Sequence, residues 1–332
     1  MQHWKLLRLP ALLLFAAAFV WAEEQPYRNG PYSPAPLLQQ LVKRVGAKGP
    51  LRFVVMSDSH LSRRFPQHLD FALSLKPDLI VHCGDRVNRG SGDISEWLRL
   101  EEQIAGAARS LPFIPLEGNH EGMGGASMRI GRGRFLQFFG LDKPYFFFDA
   151  ANARFIVLSW EFQDDREQAG WLEQTLKASG GRHIFVFAHT PFYTVGYKSR
   201  QEVPNTETRW TQMFTKYGVA LVFSGHDHTY YRTDRGNVTY VVAAGMADEK
   251  YRLDRKAEAL PGEIYMGDDP EGRGVIRRDA ASGAEVVEKE HYFVVETLVQ
   301  GPQVVCRAVS TSGKEWERFA PVSQREAAGV RR

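Results

Sequence analysis

The chain has 332 residues, 43% of them hydrophobic and 24% charged, and its 42 Lys and Arg against 39 Asp and Glu give a net charge of +3. That near-balance argues against a general nucleic-acid or membrane-surface binder, which needs a strongly basic face. The length suffices for one large domain with a proper core.

Residues 1–22 read as an export signal. Lys5 and Arg8 precede the unbroken apolar run Ala11–Val20, and Val20-Trp21-Ala22 ends small before Glu23-Glu24. Spanning a bilayer takes ~20 apolar residues, so this run is short for an anchor. The expectation is a periplasmic or secreted protein with no membrane span once the signal is removed; an uncleaved anchor is the alternative. Removing Lys5 and Arg8 with the signal takes the net charge from +3 to +1. Residues 23–50, rich in Pro and Gly, form a lead-in arm with one amphipathic stretch, Leu37–Val45.

From Leu51 apolar runs alternate with helix-period segments. The runs are Arg52–Met56, Leu79–Val81, Phe113–Leu116, Ile184–Phe187 and Leu221–Phe223, near-continuous as suits strands buried on both faces. Between them lie predicted helices at Gln67–Leu75, Ile94–Ala108, Gln168–Ala178 and Glu207–Tyr217. The alternation predicts an α/β fold with helices covering the sheets. Three pairs read as antiparallel: Tyr145–Ala150 with Arg154–Ser159, Thr229–Thr233 with Val238–Ala243 across Asp234-Arg235-Gly236-Asn237, and His291–Val299 with Gln303–Val309 across Gly301-Pro302. Residues 247–290, polar and without periodicity, read as a surface insertion within a domain spanning 51–319, and 320–332 as a tail. Cys83 and Cys306 each lie in an apolar run and read as buried thiols, which excludes a disulfide-stapled scaffold.

Each apolar run ends in a polar motif: Asp58-Ser59-His60, Gly84-Asp85, Gly118-Asn119-His120-Glu121, His189 and Gly225-His226-Asp227-His228. In open α/β sheets ligands gather beyond the carboxyl ends of strands. Asp58 and His60, two apart on a chain leaving a strand, point to one face; so do His226 and His228, with Asp227 pointing away. Gly84 and Gly118 are expected to turn the chain sharply before Asp85 and Asn119. His82 and His183, on strands, read as structural, and Phe192 and Tyr193 either line a pocket or pack beside His189.

The ordered set resembles the calcineurin-like metallophosphoesterase superfamily. Trp171-Leu172 followed by Ala188-His189-Thr190-Pro191-Phe192-Tyr193 is similar to its purple acid phosphatase-like branch. The resemblance implies a four-layer α-β-β-α sandwich of two mixed β-sheets flanked by helices, two adjacent metal ions and hydrolysis of phosphate esters. It implies that one metal takes Asp58, His60, Asp85 and His228, and the other Asp85, Asn119, His189 and His226, with Asp85 bridging. His120 and Asp85 are then the catalytic pair, a hydroxide held between the metals attacks phosphorus directly, and Asn119 and His120 contact substrate.

Two departures matter. Many relatives carry an Asp three residues beyond the bridging Asp, orienting the catalytic histidine; here that residue is Asn88. Purple enzymes carry a metal-binding Tyr there and lack the histidine of the first motif, so Asn88 and His60 predict no Fe–tyrosinate colour. The nitrogen/oxygen donor set suits two divalent or mixed-valence ions of Mn, Fe or Zn. Two divalent metals and two aspartates leave about +2, a natural seat for a phosphate anion. Arg129 and Arg132, with Arg134, follow in a Gly-rich stretch and are candidates for the non-reacting part of a substrate. The expected substrate is a small phosphomonoester. The alternatives are a phosphodiesterase, or a non-catalytic phosphate- or metal-binding protein on the same fold; oligomeric state is not legible.

Overall fold

A computed structural model describes residues 30–122, 128–159, 165–196 and 205–327; the expected signal, residues 1–22, lies outside them. Helix α1 (Ala35–Val45) leads into the predicted alternation: β1 (Leu51–Met56), α2 (Phe65–Ser74), β2 (Leu79–His82), α3 (Ile94–Ser110) and β3 (Phe113–Pro115). A single turn, α4 (Asn119–Gly122), and a longer helix, α5 (Met128–Phe139), precede β4 (Phe146–Ala150) and β5 (Ala153–Val157). Then come α6 (Arg166–Lys177), β6 (His183–Ala188), α7 (Arg209–Tyr217) and β7 (Leu221–Ser224). The chain continues through β8 (Tyr230–Arg235), β9 (Val238–Ala243), β10 (Ile264–Asp268), β11 (Val275–Arg278) and β12 (Glu285–Val287). It closes with β13 (Phe293–Gln300), β14 (Gln303–Ser310), β15 (Glu315–Phe319) and α8 (Val322–Ala327).

Among the described residues the strands form two mixed sheets, ordered β15-β14-β13-β1-β2-β3 and β12-β11-β10-β8-β9-β7-β6-β5-β4. Strands β1–β2–β3 and β5–β6–β7–β9 run parallel, the rest antiparallel. The ring of Phe53 on β1 lies 5.1, 5.2, 6.3 and 6.1 Å from those of Phe155, Phe185, Phe187 and Phe223, so the sheets pack face to face over an aromatic core. Alternate residues of β6 point the other way. Ile184, Val186 and Ala188 pack with Leu172 and Leu176 of α6 and with Trp210 and Phe214 of α7. Leu69 and Ala72 of α2 and Leu100 and Ile104 of α3 cover the first sheet. This is the expected four-layer sandwich, and it explains the continuous apolar runs, since these strands bury both faces. Truncating a ring such as Phe53 to alanine costs about 3–5 kcal/mol.

Several segments differ from the sequence reading. Residues 247–290 were expected without regular structure; they contribute β10, β11 and β12, which extend the larger sheet past β8 and bury Ile264, Met266 and Ile276. Strands of three to five residues separated by Gly and charge carry little periodic signal. Arg129, Arg132 and Arg134 lie on helix α5 rather than in a loop; Gly131 and Gly133 mask its propensity, and burial of Phe135 and Phe139 outweighs that penalty. Asp234 and Arg235 belong to β8, which leaves Gly236-Asn237 as a two-residue turn. Both cysteines are free and buried, as expected. No described helix is long and apolar enough to cross a membrane.

Candidate metal centre

Five strands deliver their motifs at their carboxyl ends: β1 gives Asp58 and His60, β2 Asp85, β3 Asn119 and His120, β6 His189, and β7 His226 and His228. Four of these residues leave ordinary backbone space. Asp58, His60, Asp85 and His226 have φ of 62°, 46°, 55° and 67°, a left-handed conformation that costs a non-glycine residue about 1–3 kcal/mol. Such conformations persist only where surrounding structure over-determines them, and here they aim side chains into one site. Gly84 has the expected positive φ, 98°, but Gly118 does not. A Cβ on Gly118 would sit 2.2 Å from Oδ1 and 2.5 Å from the amide nitrogen of Asp85, so its glycine serves close approach.

The donor atoms fall into two sets that share Asp85. In the first, His60 Nε2 and His228 Nε2 are 3.1 Å apart, His228 Nε2 is 3.7 Å from Asp58 Oδ1, and His60 Nε2 is 3.8 Å from Asp85 Oδ2. In the second, Asn119 Oδ1 lies 2.9 Å from His189 Nε2 and 3.0 Å from His226 Nδ1, while His189 Nε2 is 3.3 Å from both His226 Nδ1 and Asp85 Oδ2. Metal–nitrogen bonds of about 2.1 Å place neighbouring ligands about 3.0–3.4 Å apart, so the second set fits an ion at its centre as it stands, and the first, with spacings out to 3.8 Å, fits one after a small contraction. Asp85 Oδ2 is buried without a hydrogen bond, where the two sets meet.

Tautomers agree with this. His189 Nδ1–H donates to the carbonyl of Cys83 at 2.8 Å and His228 Nδ1–H to that of Glu249 at 3.0 Å, turning each Nε2 inward. The ring of Tyr251 stacks on His228, centroids 4.0 Å apart. The site calls for positive charge. Burial pushes the Asp58 carboxyl up, against the pull of His189 and His60. Burial also opposes the charge on Asp85, but His189, His60 and His120 together hold that carboxyl well below its usual range. Burial lowers His189, yet Asp85 and Asp58 outweigh it and raise the imidazole to about 9. His189 would have to give up that proton to serve as a ligand in the second set.

His120 stands at the rim. Its Nε2 is 3.9 Å from Asp85 Oδ2, its ring meets His60 edge-on at 4.6 Å, and its amide donates to Asp85 Oδ1 at 2.9 Å. Its Nδ1–H donates to the main-chain carbonyl of Asn88 at 2.9 Å. The side chain of Asn88 instead donates to the carbonyl of His60 at 3.0 Å. The amide that replaces a carboxylate here therefore does not touch the catalytic candidate; backbone does its orienting.

Residues 51–230 match the calcineurin-like phosphoesterase family. The chain belongs to that family. It is 28% identical over 194 residues to the serine/threonine-protein phosphatase CPPED1 of Rattus norvegicus, a match covering 52% of this chain and 61% of that protein. It is 29% identical over 113 residues to the Fe(3+)-Zn(2+) purple acid phosphatase 12 of Arabidopsis thaliana, covering 33% of this chain and 23% of that one. The purple acid phosphatase PPD1 from yellow lupin (Lupinus luteus) seeds shares the fold, with a TM-score of 0.61 at 17% identity over 82% of this chain and 53% of that chain. In each case the match spans less than two thirds of the relative's length.

All seven expected donors of this phosphoesterase-family chain thus converge, with His120 beside them. The arginine candidates do not join them in the same way. Arg132 makes a bidentate ion pair with buried Glu117, with contacts of 2.8–3.1 Å, and Arg129 lies exposed on α5. Phe192 and Tyr193 pack in the core against Tyr240, which decides their role. Asp227 points away as expected, into a short hydrogen bond from Thr194. Sequence reasoning missed the scaffold. Glu121, fully buried, accepts from the amides of Asp85, Arg86 and Gly118 at 3.0, 2.9 and 2.7 Å and pairs with fully buried Arg86 at 3.2 Å. Its adjacency to Asn119-His120 was the available signal.

Proposed function

We propose that this protein is a metal-dependent phosphatase that hydrolyses phosphomonoesters at a dinuclear centre. Asp58, His60, Asp85 and His228 would hold one ion, and Asp85, Asn119, His189 and His226 the other. The observation that carries this is Asp85 Oδ2, buried and unbonded, 3.8 Å from His60 Nε2 and 3.3 Å from His189 Nε2, beside the clusters Asp58/His60/His228 and Asp85/His189/His226. Mn, Fe and Zn suit those donors. When bound, the ions lower the pKa of water and neutralise phosphate oxygens.

The chain's own groups do the rest. The carbonyls of Cys83 and Glu249 and the ring of Tyr251 fix the ligating imidazoles, so the phosphate is held in one orientation. His120, oriented by the Asn88 carbonyl, presents Nε2 at the mouth of the site, where it donates a proton to the leaving oxygen. Two divalent ions with Asp58 and Asp85 leave about +2, or about +1 with a hydroxide present, so the site attracts a phosphate anion; the monoester reading draws its support from relatives named as phosphatases. Reading residues 1–22 as an export signal supports action outside the cytoplasm, on small phosphate esters; amino-terminal sequencing of the mature protein tests that.

The deciding assay compares p-nitrophenyl phosphate with bis-p-nitrophenyl phosphate after metal removal and re-addition of Mn, Zn or Fe. Restored monoester turnover that Asp85→Asn lacks is the expected result. Diester preference would replace the monoesterase reading with a phosphodiesterase, and no turnover of either by metal-loaded protein would overturn both.

A further inference from the structure

The centre opens on the His60 side into a cleft of about 570 Å³ whose walls include Ser62, Arg63, Arg64 and Arg99, with Asp248 and Tyr292 opposite. Three guanidinium groups against one carboxylate leave the lining with a net charge of +2. Arg63 and Arg99 are exposed, and among the described residues neither makes a hydrogen bond or an ion pair, although Asp93 feels the charge of Arg99. Among the described residues most arginines pair with a carboxylate, Arg132, Arg154 and Arg232 among them. Like charges crowded into one cleft repel each other until an anion enters.

The rest of the lining is built to hold that arrangement. Asp248 Oδ1 accepts from Ser62 Oγ and from Tyr292 Oη, both at 2.8 Å, which ties the loop after β1 to the segment before β13. Arg64 Nη1 donates to Tyr292 Oη at 3.2 Å, with its guanidinium 5.7 Å over that ring. The ring of His68 stacks on Tyr292 at 4.2 Å. Tyr292 is therefore already in contact with these groups, and the cleft offers charge rather than a platform for a base or an aromatic group. Helix α2 begins at Phe65, directly after these arginines, and its positive end adds to the same field.

We infer that this cleft is a subsite for a second anionic group on the substrate, a phosphate, sulfate or carboxylate, with the scissile phosphate at the donor sets beside it. Arg63 and Arg99 are its specificity determinants, because their donors are free to form forked bonds with an oxyanion. The substrate class is then a small polyanionic ester rather than a phosphate on a neutral alcohol. This rests on the phosphatase reading above.

The test measures binding, independently of turnover. Metal-loaded full-length protein is titrated calorimetrically with α,ω-alkane bisphosphonates of graded length and with alkylphosphonates of matching length. At one length the bisphosphonate is expected to bind about tenfold tighter, a preference that falls to near unity in the combined Arg63→Ala, Arg99→Ala variant. Both side chains are exposed, and an unchanged circular dichroism melt checks that the variant folds. Equal affinities at every length in the native protein, or a preference that survives in the variant, would overturn the subsite. Absent turnover of p-nitrophenyl phosphate would overturn the phosphatase reading alone, since the affinity ratio is read without it.

Discussion

Glu121 is not among the candidate donors, yet its carboxylate holds the backbone around them through three amides. One carboxylate oxygen takes the amides of Asp85 and Gly118, and the other takes the amide of Arg86 and faces its guanidinium at 3.2 Å. Replacing Glu121 with Gln turns one of those oxygens into an NH2 group. Whichever way the amide flips, two donors then face a donor, and Arg86, buried between the rings of Phe135 and Phe139, keeps its charge without a counter-charge at that oxygen. Breaking one side of a buried ion pair costs about 3–5 kcal/mol. For a chain of this length that lowers the melting temperature by about 6–10 °C. Because one carboxylate spans the Asp85, Gly118 and Arg86 amides, a side chain that cannot accept from all three should loosen the loops carrying the donors, and bound metal should fall together with stability. Differential scanning calorimetry of Glu121→Gln, with Arg86→Met and the double variant completing a cycle, reads both the loss and a coupling of about 1.5 kcal/mol or more. A loss under about 1 kcal/mol, or strict additivity, would refute the reasoning.

The orientation of His120 by backbone predicts that Asn88→Ala lowers phosphatase kcat less than about tenfold, whereas His120→Ala lowers it about 10²–10⁴-fold; equal losses would show that the Asn88 side chain matters after all. Chelating the metals should lower the melting temperature, and re-adding ion at about a hundred times its dissociation constant should restore about 2.7 kcal/mol, less in Asp85→Asn. His68 gives a pH dependence away from the centre. Burial first, then the charges of Lys250 and Arg64, hold its imidazole at about 4 against an ordinary 6.5, with Asp248 opposing and His291 adding to the shift. Folding therefore favours the neutral ring: its contribution is intact above pH 6.5 and is lost as pH falls toward 4. Urea titrations of His68→Gln should show that slope flattened by about 1–2 kcal/mol, a figure reduced for partial exposure.

What the sequence determined by itself was the architecture and the candidate donors it delivers to one place. Buried parallel strands must be apolar throughout, so runs such as Ile184–Phe187 announce themselves, and the candidate metal donors placed at their ends stand out against them. The two-residue spacing of Asp58 with His60 and of His226 with His228 already put their side chains on one side. Tertiary structure alone decided which groups support those donors, because hydrogen bonds between residues distant in sequence leave no periodic trace. Glu121 reaching back to Asp85, Tyr251 stacked on His228 and the Asn88 carbonyl holding His120 are all of this kind. The placement of the arginines was hidden for the same reason. Sequence proximity to Asn119 favoured Arg129 and Arg132, but helix α5 commits Arg132 to Glu117, while the loop after β1 and helix α3 bring Arg63 and Arg99 to the cleft beside His60. Where a charged side chain ends up depends on the packing of the element that carries it, and that packing is settled only when the two sheets meet.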